Sequence, residues 1–395
     1  MKKGWEKKRL NDFAWFQRGF DLPKKKFITG GVPVYGSTSI LGYHNIAKVE
    51  APGIITGRSG TLGVMQFAKE DFWPHNTSLW VKDFKGNDEK FAYYLFHCLD
   101  FSLFNSGGAV PTLNRNVLNS FVVDVPPLAT QRKIASILSA YDDLIENNIK
   151  RIKLLEEKAQ LTYEEWFVRM RFPGRENWKV DEETGLPEGW EEKPFSSIVD
   201  VNPKTTIKKG TIAPYIPMRS ISESSMVIMP IEERAVSGGT KFKNGDTLFA
   251  RITPCLENGK TGFVQFMKSD EDIATGSTEY IVLRETPEVG KYFIYCTSRE
   301  EEFRENAIKS MVGSDGRQRV KSECFEKYIV NHAPLKIRNE FEKLAEPIFL
   351  SIQLFVDQNQ LLKEARDLLL PRLMMGMINV DKIPVQIMNK VSESA

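Results

Sequence analysis

The sequence predicts an α+β protein: two tandem globular domains joined by two long helices packed as an antiparallel coiled coil, with a pseudo-twofold internal repeat. Three observations carry this reading. Short motifs recur in the same order in both halves of the 395 residues, each half opens on short β-type segments, and each closes on a long helical stretch with a 3.5-residue apolar period. With 41% of the chain apolar and 27% charged, core material is ample. At roughly 100–200 residues per domain the length suits two or three domains.

The repeat rests on three matches. Gly4-Trp5-Glu6-Lys7-Lys8 recurs as Gly189-Trp190-Glu191-Glu192-Lys193. Ile54-Ile55-Thr56-Gly57-Arg58-Ser59-Gly60-Thr61-Leu62-Gly63-Val64 has a counterpart in Thr247-Leu248-Phe249-Ala250-Arg251-Ile252-Thr253, followed by Gly259-Lys260-Thr261-Gly262-Phe263-Val264. Pro126-Pro127-Leu128 recurs as Ala333-Pro334-Leu335. Each match is weak alone; a shared order makes duplication the economical explanation.

In each half, runs rich in Val, Ile, Phe, Tyr and Thr and bounded by Gly, Pro, Asn and Ser predict strands. They fall at 54–67, 78–81 and 121–125, then at 246–253, 262–266 and 279–283. Short helices are predicted at 89–99 and 290–307. Strands and helices do not alternate as βαβ units would, hence the α+β class.

The first long helix is predicted from about Thr130 to Arg171, after Pro126 and Pro127. Its seam is Ile134, Leu138, Tyr141, Ile145, Asn148, Ile152, Leu155, Ala159, Thr162 and Trp166. The matching seam is Phe341, Ala345, Ile348, Ile352, Phe355, Asn359, Leu362, Arg366, Leu369 and Leu373. Alternating steps of four and three are the coiled-coil period. About 40 helical residues make a rod on the order of 60 Å, and such a seam cannot stay in water. Because each globule precedes its helix across a junction from Phe172 to Trp190, pairing within the chain is antiparallel; a parallel dimer of two chains is the alternative. Asn148 and Asn359 on the seam would fix register.

Charge and motifs narrow the function. Fifty-four basic against 52 acidic residues give +2, which alone does not indicate nucleic acid. Residues 1–30 nevertheless hold Lys2, Lys3, Lys7, Lys8, Arg9, Arg18, Lys24, Lys25 and Lys26 against Glu6, Asp12 and Asp21. Further basic clusters are Lys204/Lys208/Lys209 and Lys309/Arg317/Arg319/Lys321. The four cysteines and four histidines are scattered, with no C-x-x-C or H-x-x-H pair, so neither a metal site nor a disulfide framework is expected. The thiols are expected to be reduced and mostly buried, with His97 and Cys98 in the core. No apolar run reaches the ~18 residues of a membrane span, and none follows Met1-Lys2-Lys3-Gly4-Trp5-Glu6 as in a secretory signal, which predicts a cytoplasmic protein without membrane contact.

Catalytic patterns are missing. Gly259-Lys260-Thr261 is not a P-loop, because Pro254 stands where that motif needs Gly. Asn202-Pro203-Lys204 lacks the Pro-aromatic pair of an adenine methyltransferase, and no nucleophile elbow is present. The chain reads as a binding or scaffolding protein, not an enzyme.

These residues resemble the specificity subunit of type I restriction-modification systems. The resemblance is carried by the Gly-Trp-Glu openings at Gly4 and Gly189, the Ile-Thr-Gly-Arg-Ser-Gly-Thr-Leu-Gly element at 55–63, the Pro-Pro-Leu-x-x-Gln-x-x-Ile helix start at 126–134, and the duplicated helix ends. It covers nearly the whole chain, to about Ile378. It implies target-recognition domains at 1–128 and 173–334, a central helical region at 129–172, a C-terminal one at 335–378, and a tail at 379–395. Each recognition domain would read one half of a split double-stranded DNA target, and the helices would set the unread spacer. The resemblance further implies that the helices dock two methyltransferase subunits, which use S-adenosylmethionine, and that restriction subunits using ATP and Mg join that core. This chain would hold no cofactor of its own. Coil and docking would rest on Ile134, Leu138, Tyr141, Ile145, Leu155, Ile348, Ile352, Leu362 and Leu369. One departure is the second helix start, Pro334-Leu335-Lys336-Ile337-Arg338-Asn339-Glu340, which lacks the usual Glu-Gln pair.

Reading duplex sequence needs donors and acceptors at base edges and cations on phosphate. Arg58, Ser59 and Thr61 sit in a turn flanked by Gly57, Gly60 and Gly63, and Arg251, Thr253 and Lys260 hold the matching element. Segment 310–319 resembles the recognition loop of the family, with 106–115 as its counterpart. There Gln318 and Asn114 suit adenine, while Arg317, Arg319 and Arg115 suit guanine or phosphate. Lys24, Lys25 and Lys26 form either a phosphate-facing loop or plain surface. The alternative reading of the turn glycines is that they serve only a β-turn. Two rival functions stay open: a similar module in a type IIB methyltransferase-endonuclease, and a coiled-coil adaptor whose globules bind proteins.

Overall fold

The glycines and prolines that punctuate the sequence cut each half into short strands, and the apolar residues between them are buried. The computed structural model describes residues 4–104, 111–113, 115–313 and 318–382, with Phe104 and Asp381 in backbone only. It divides into two compact units, Met1–Asn147 with Asn359–Ala395, and Asn148–Gln358.

In the first unit, strands β1 (Trp15–Arg18), β2 (Gly53–Gly57), β3 (Met65–Ala68) and β4 (Ser78–Asp83) form an antiparallel sheet in the order β1-β4-β2-β3. The segment predicted as one strand at 54–67 is thus a hairpin, and its turn carries Arg58 to Val64. All five residues of β2 are buried, as a central strand requires. A smaller sheet joins Val32–Tyr35 to Ile40–His44 and Trp73–Pro74, and Glu6–Arg9 pairs with Val122–Val125. Helix α1 (Glu89–His97) covers the first sheet through Phe91 and Phe96, which meet Phe13 edge-on at 6.2 and 6.1 Å.

Helix α2 (Leu128–Tyr163) starts directly after Pro126-Pro127, two residues earlier than predicted. The Gln of the Pro-Pro-Leu-x-x-Gln motif explains the motif. Gln131 is 2% exposed; its amide donates to the Pro126 carbonyl and to Asn87 Oδ1, both at 2.9 Å. Its Oε1 accepts from the Asp88 N–H at 3.0 Å, and Asp88 in turn caps α1 by accepting from the Phe91 N–H at 2.8 Å. One buried side chain therefore ties the helix start to the globule.

The second unit repeats this strand order. Strands β5 (Asp200–Val201), β6 (Thr247–Ala250), β7 (Thr261–Phe263) and β8 (Tyr280–Arg284) form an antiparallel sheet ordered β5-β8-β6-β7. Glu191–Pro194 pairs with Ile329–His332. The helix predicted at 290–307 is broken at Glu300, whose backbone is extended (ψ 142°), into α3 (Lys291–Arg299) and a second piece, Glu301–Lys309. The Glu300 carboxylate accepts from the Tyr328 and Tyr163 hydroxyls at 3.1 and 3.4 Å. Helix α4 (Leu335–Met374) begins after Pro334, and Arg338 donates to the Ala333 carbonyl at 2.8 Å where Gln131 donates to Pro126. The cap of α3 comes from α4: Glu342 accepts the Phe293 and Tyr292 N–H groups at 2.9 and 3.3 Å. A Cβ on Gly290 would lie 2.2 Å from Glu342 Cδ, so that close approach requires glycine.

Within the first unit, the early part of α2 meets the late part of α4. Arg366 donates to Asp142 at 2.5 Å, and Ile134 and Leu138 share a core with Leu373 and Met374. Within the second unit the late part of α2 meets the early part of α4: Asn148 donates to Gln358 at 3.4 Å, and the Trp166 and Tyr163 rings lie 6.0 and 6.2 Å from Phe341. Of the predicted seam, Ile134, Leu138, Ile145, Asn148, Ile152, Ala159, Trp166, Phe341, Ala345, Ile348, Ile352, Asn359 and Leu373 are buried, while Tyr141, Leu155, Phe355, Leu362, Arg366 and Leu369 are half-buried. Thr162 is half-buried too, next to the buried Tyr163, and the helix widens into a π-turn over Glu164–Val168, short of the predicted Arg171.

A further correction concerns the thiols. His97 and Cys98, expected in the core, are exposed at the end of α1, and Cys255 is half-buried; only Cys296 and Cys324 are buried. The amphipathic face of α1 turns Phe91, Leu95 and Phe96 inward and so carries His97 and Cys98 outward.

Candidate nucleic-acid interface

The two motifs singled out in each half are brought together by backbone pairing. In the first unit Arg58 follows β2, its N–H donates to the Thr77 carbonyl at 3.0 Å, and its carbonyl accepts from the Leu113 N–H at 2.8 Å. Ser59 bridges Thr112, and the Gly60 N–H donates to the Pro111 carbonyl at 2.9 Å. In the second unit Arg251 follows β6, its N–H donates to the Glu279 carbonyl at 3.0 Å, and its carbonyl accepts from the Val320 N–H at 2.8 Å. Ile252 bridges Arg319, and the Thr253 N–H donates to the Gln318 carbonyl at 3.2 Å.

This pairing corrects the alignment read from sequence. The turns align as read, with Thr253 at Gly60, but Gln318 and Arg319 match Pro111 and Thr112 rather than Asn114 and Arg115. The ladder fixes equivalence by hydrogen bonds, which the similarity of side chains had set a few residues out of register.

The side chains differ in availability. Thr61 and Arg115 are exposed, and Arg58, Ser59 and Gln318 are half-buried. Among the described residues Arg58 has no carboxylate partner. Arg319 is bound bidentately to Glu279, with Nε 3.0 Å from both carboxylate oxygens and Nη2 2.8 Å from Oε1. Arg251 Nε lies 3.9 Å from the same carboxylate, and the Arg319 hydrogen bond, aided by both positive charges, holds Glu279 below the usual carboxylate range. Among the described residues, Thr253 Oγ1 is buried without a hydrogen-bond partner. Lys260 is turned inward, donating to the Met218 carbonyl at 3.2 Å, so its ammonium is engaged within the protein and not held out for phosphate. Lys24–Lys26 form an exposed 3-10 turn that packs on the smaller sheet through Phe27 against His44. Asn114 and Arg317 lie outside the described residues, as do parts of both loop segments and the tail beyond 382.

Sequence reading missed Glu279, which carries no motif, and a row of exposed leucines. Leu154 and Leu161 on α2, and Leu354, Leu361 and Leu368 on α4, are 64, 55, 56, 65 and 62% exposed. Each stands one residue before a seam position, so a second heptad phase was the signal. Among the described residues no group of three His, Cys, Asp or Glu could hold a metal ion, and no helix is long and apolar enough to cross a membrane.

Comparison with known proteins agrees with this geometry. Residues 2–157 match the family described as the type I restriction modification DNA specificity domain. The chain is 27% identical over 318 residues to the type I restriction enzyme MjaIX specificity subunit of Methanocaldococcus jannaschii, covering 74% of this chain and 70% of that protein. It is 32% identical over 180 residues to the EcoEI specificity subunit of Escherichia coli, covering 43% of this chain but only 29% of the relative. The fold matches the crystal structure of the type I restriction-modification S subunit from M. genitalium at a TM-score of 0.58 and 16% identity, over 93% of this chain and 96% of that one. An arginine-bearing turn set beside a loop in each unit, a specificity domain matched over residues 2–157 and a shared fold point the same way: the chain is similar to the specificity subunits of type I restriction-modification systems.

Proposed function

We propose that this chain is the non-catalytic, DNA-reading subunit of a type I restriction-modification complex, with each unit reading one half of a bipartite duplex target. The observation that carries the reading is the hydrogen-bond pattern shared by the Arg58 and Arg251 turns, each paired to a loop and each starting from a buried central strand. Polar side chains on a rigid frame are what base readout requires. Arg58, Ser59, Thr61 and Arg115 serve the first half-site, and Gln318 and Arg319 the second. Lys24–Lys26 supply phosphate contact, which positions without specifying.

The recurrence of sheet order, helix start and turn pairing supports descent from one duplicated unit. The descending contacts of α4 against ascending positions of α2, seen in each unit by itself, support an antiparallel coil that sets the unread gap. The seam residues face inward, so docking falls to the exposed leucines beside them. These accept two methyltransferase subunits, which carry S-adenosylmethionine, and through that core the ATP- and Mg-dependent restriction subunits.

Co-expression with a type I methyltransferase subunit that forms a stable complex with it, in a host without adenine methylation, followed by mapping of modified adenines, tests this. Two short specified half-sites around a fixed unspecified gap are expected. A short continuous site, or no methylation by a stable complex, overturns the reading.

A further inference from the structure

We infer that Glu279 is a specificity-determining residue of the second unit, buttressing Arg319 so that the outer edge of that guanidinium reads a guanine in the second half-site. This rests on the DNA-reading assignment above. A guanidinium offers five N–H donors in a planar fork. Arg319 spends the edge formed by Nε and Nη2 on Glu279, at 3.0 and 2.8 Å. The edge formed by Nη1 and the second Nη2 hydrogen is left for a bidentate pair with guanine O6 and N7. The side chain of Arg319 is 44% exposed and that of Glu279 22%, so the reader faces outward and its buttress is recessed. The backbone is equally fixed: Arg319 exchanges two 3.0 Å hydrogen bonds with Val312, and Arg251 donates its N–H to the Glu279 carbonyl.

A base contact explains the carboxylate better than a phosphate contact does. Phosphate accepts from arginine over a wide range of angles and needs no fixed fork, and an adjacent negative charge would only weaken that attraction. A guanine edge rewards orientation. The comparison between units supports the same role. The backbone positions matched to Glu279 and Arg319 are Thr77 and Thr112 in the first unit, so an ion pair in one stands where two threonines stand in the other. Two units that read different half-sites must differ at such a place.

The test compares the methylation maps of the full complex carrying the wild-type chain, Glu279→Gln and Arg319→Lys. Glu279→Gln keeps the shape and removes the charge; Arg319→Lys keeps the charge and removes the fork. Both variants are expected to keep the first half-site and the gap and to lose discrimination at one G·C pair of the second half-site, by about 5-fold or more, the lower end of what one bidentate pair supplies. A second half-site with no G·C pair, a motif unchanged in both variants, or an equal fall in methylation at every sequence overturns the inference. Failure of the underlying assignment is separate, since it shows as absence of a bipartite motif with the wild-type chain.

Discussion

Glu300 and Glu342 are carboxylates that water reaches poorly, and burial pushes each up to about 7. An unfolded glutamate titrates near 4.3, so between those values the folded second unit binds more protons than the unfolded chain. Its stability therefore falls as pH rises from about 5 to about 7.5, and levels off above. Glu300→Gln removes that contribution. In urea unfolding, the stability of this variant relative to wild type should rise by on the order of 2 kcal/mol between those two pH values; parallel pH profiles for the two proteins would contradict the assignment. Such residues were not legible beforehand, because Glu300 reads as helix surface in the run Glu300-Glu301-Glu302 until the helix is seen to break there. Glu279 was hidden for the same reason: its partner Arg319 is 40 positions away. Arg58 and Arg251, by contrast, were legible from the glycines and strand residues around them.

Long-period elements were read best. Seam positions at steps of three and four identified both long helices, since burial of one face over ten turns leaves a pattern that single substitutions cannot hide. Helix ends were read less well: the π-turn at Glu164–Val168 and the break at Glu300 depend on tertiary contacts of Tyr163. The Pro-Pro-Leu-x-x-Gln motif was legible as a helix start, while its mechanical role emerges only with Asn87 and Asp88 in place. That role predicts the cost of removing it. Gln131→Ala leaves the Asp88 N–H and the Pro126 carbonyl unpaired in a site of 2% exposure, and should destabilise the first unit by about 1–3 kcal/mol. A melting temperature equal to wild type would show that water replaces the amide without loss.

At the scale of the molecule, two facts bear on function: each unit carries a complete sheet with its own arginine-bearing turn, and α2 and α4 each contribute residues to both units. Duplicated order in the sequence made the first legible; the exposed leucines beside the seam were not, because seam and flank share one heptad period. The central claim, that the units read and the helices measure, is tested most directly by lengthening the ruler. One heptad inserted into both α2 and α4, at matched seam positions, should yield a folded complex whose methylation map keeps both half-sites and widens the unspecified gap between them. An unchanged gap in a folded, active complex would contradict the account.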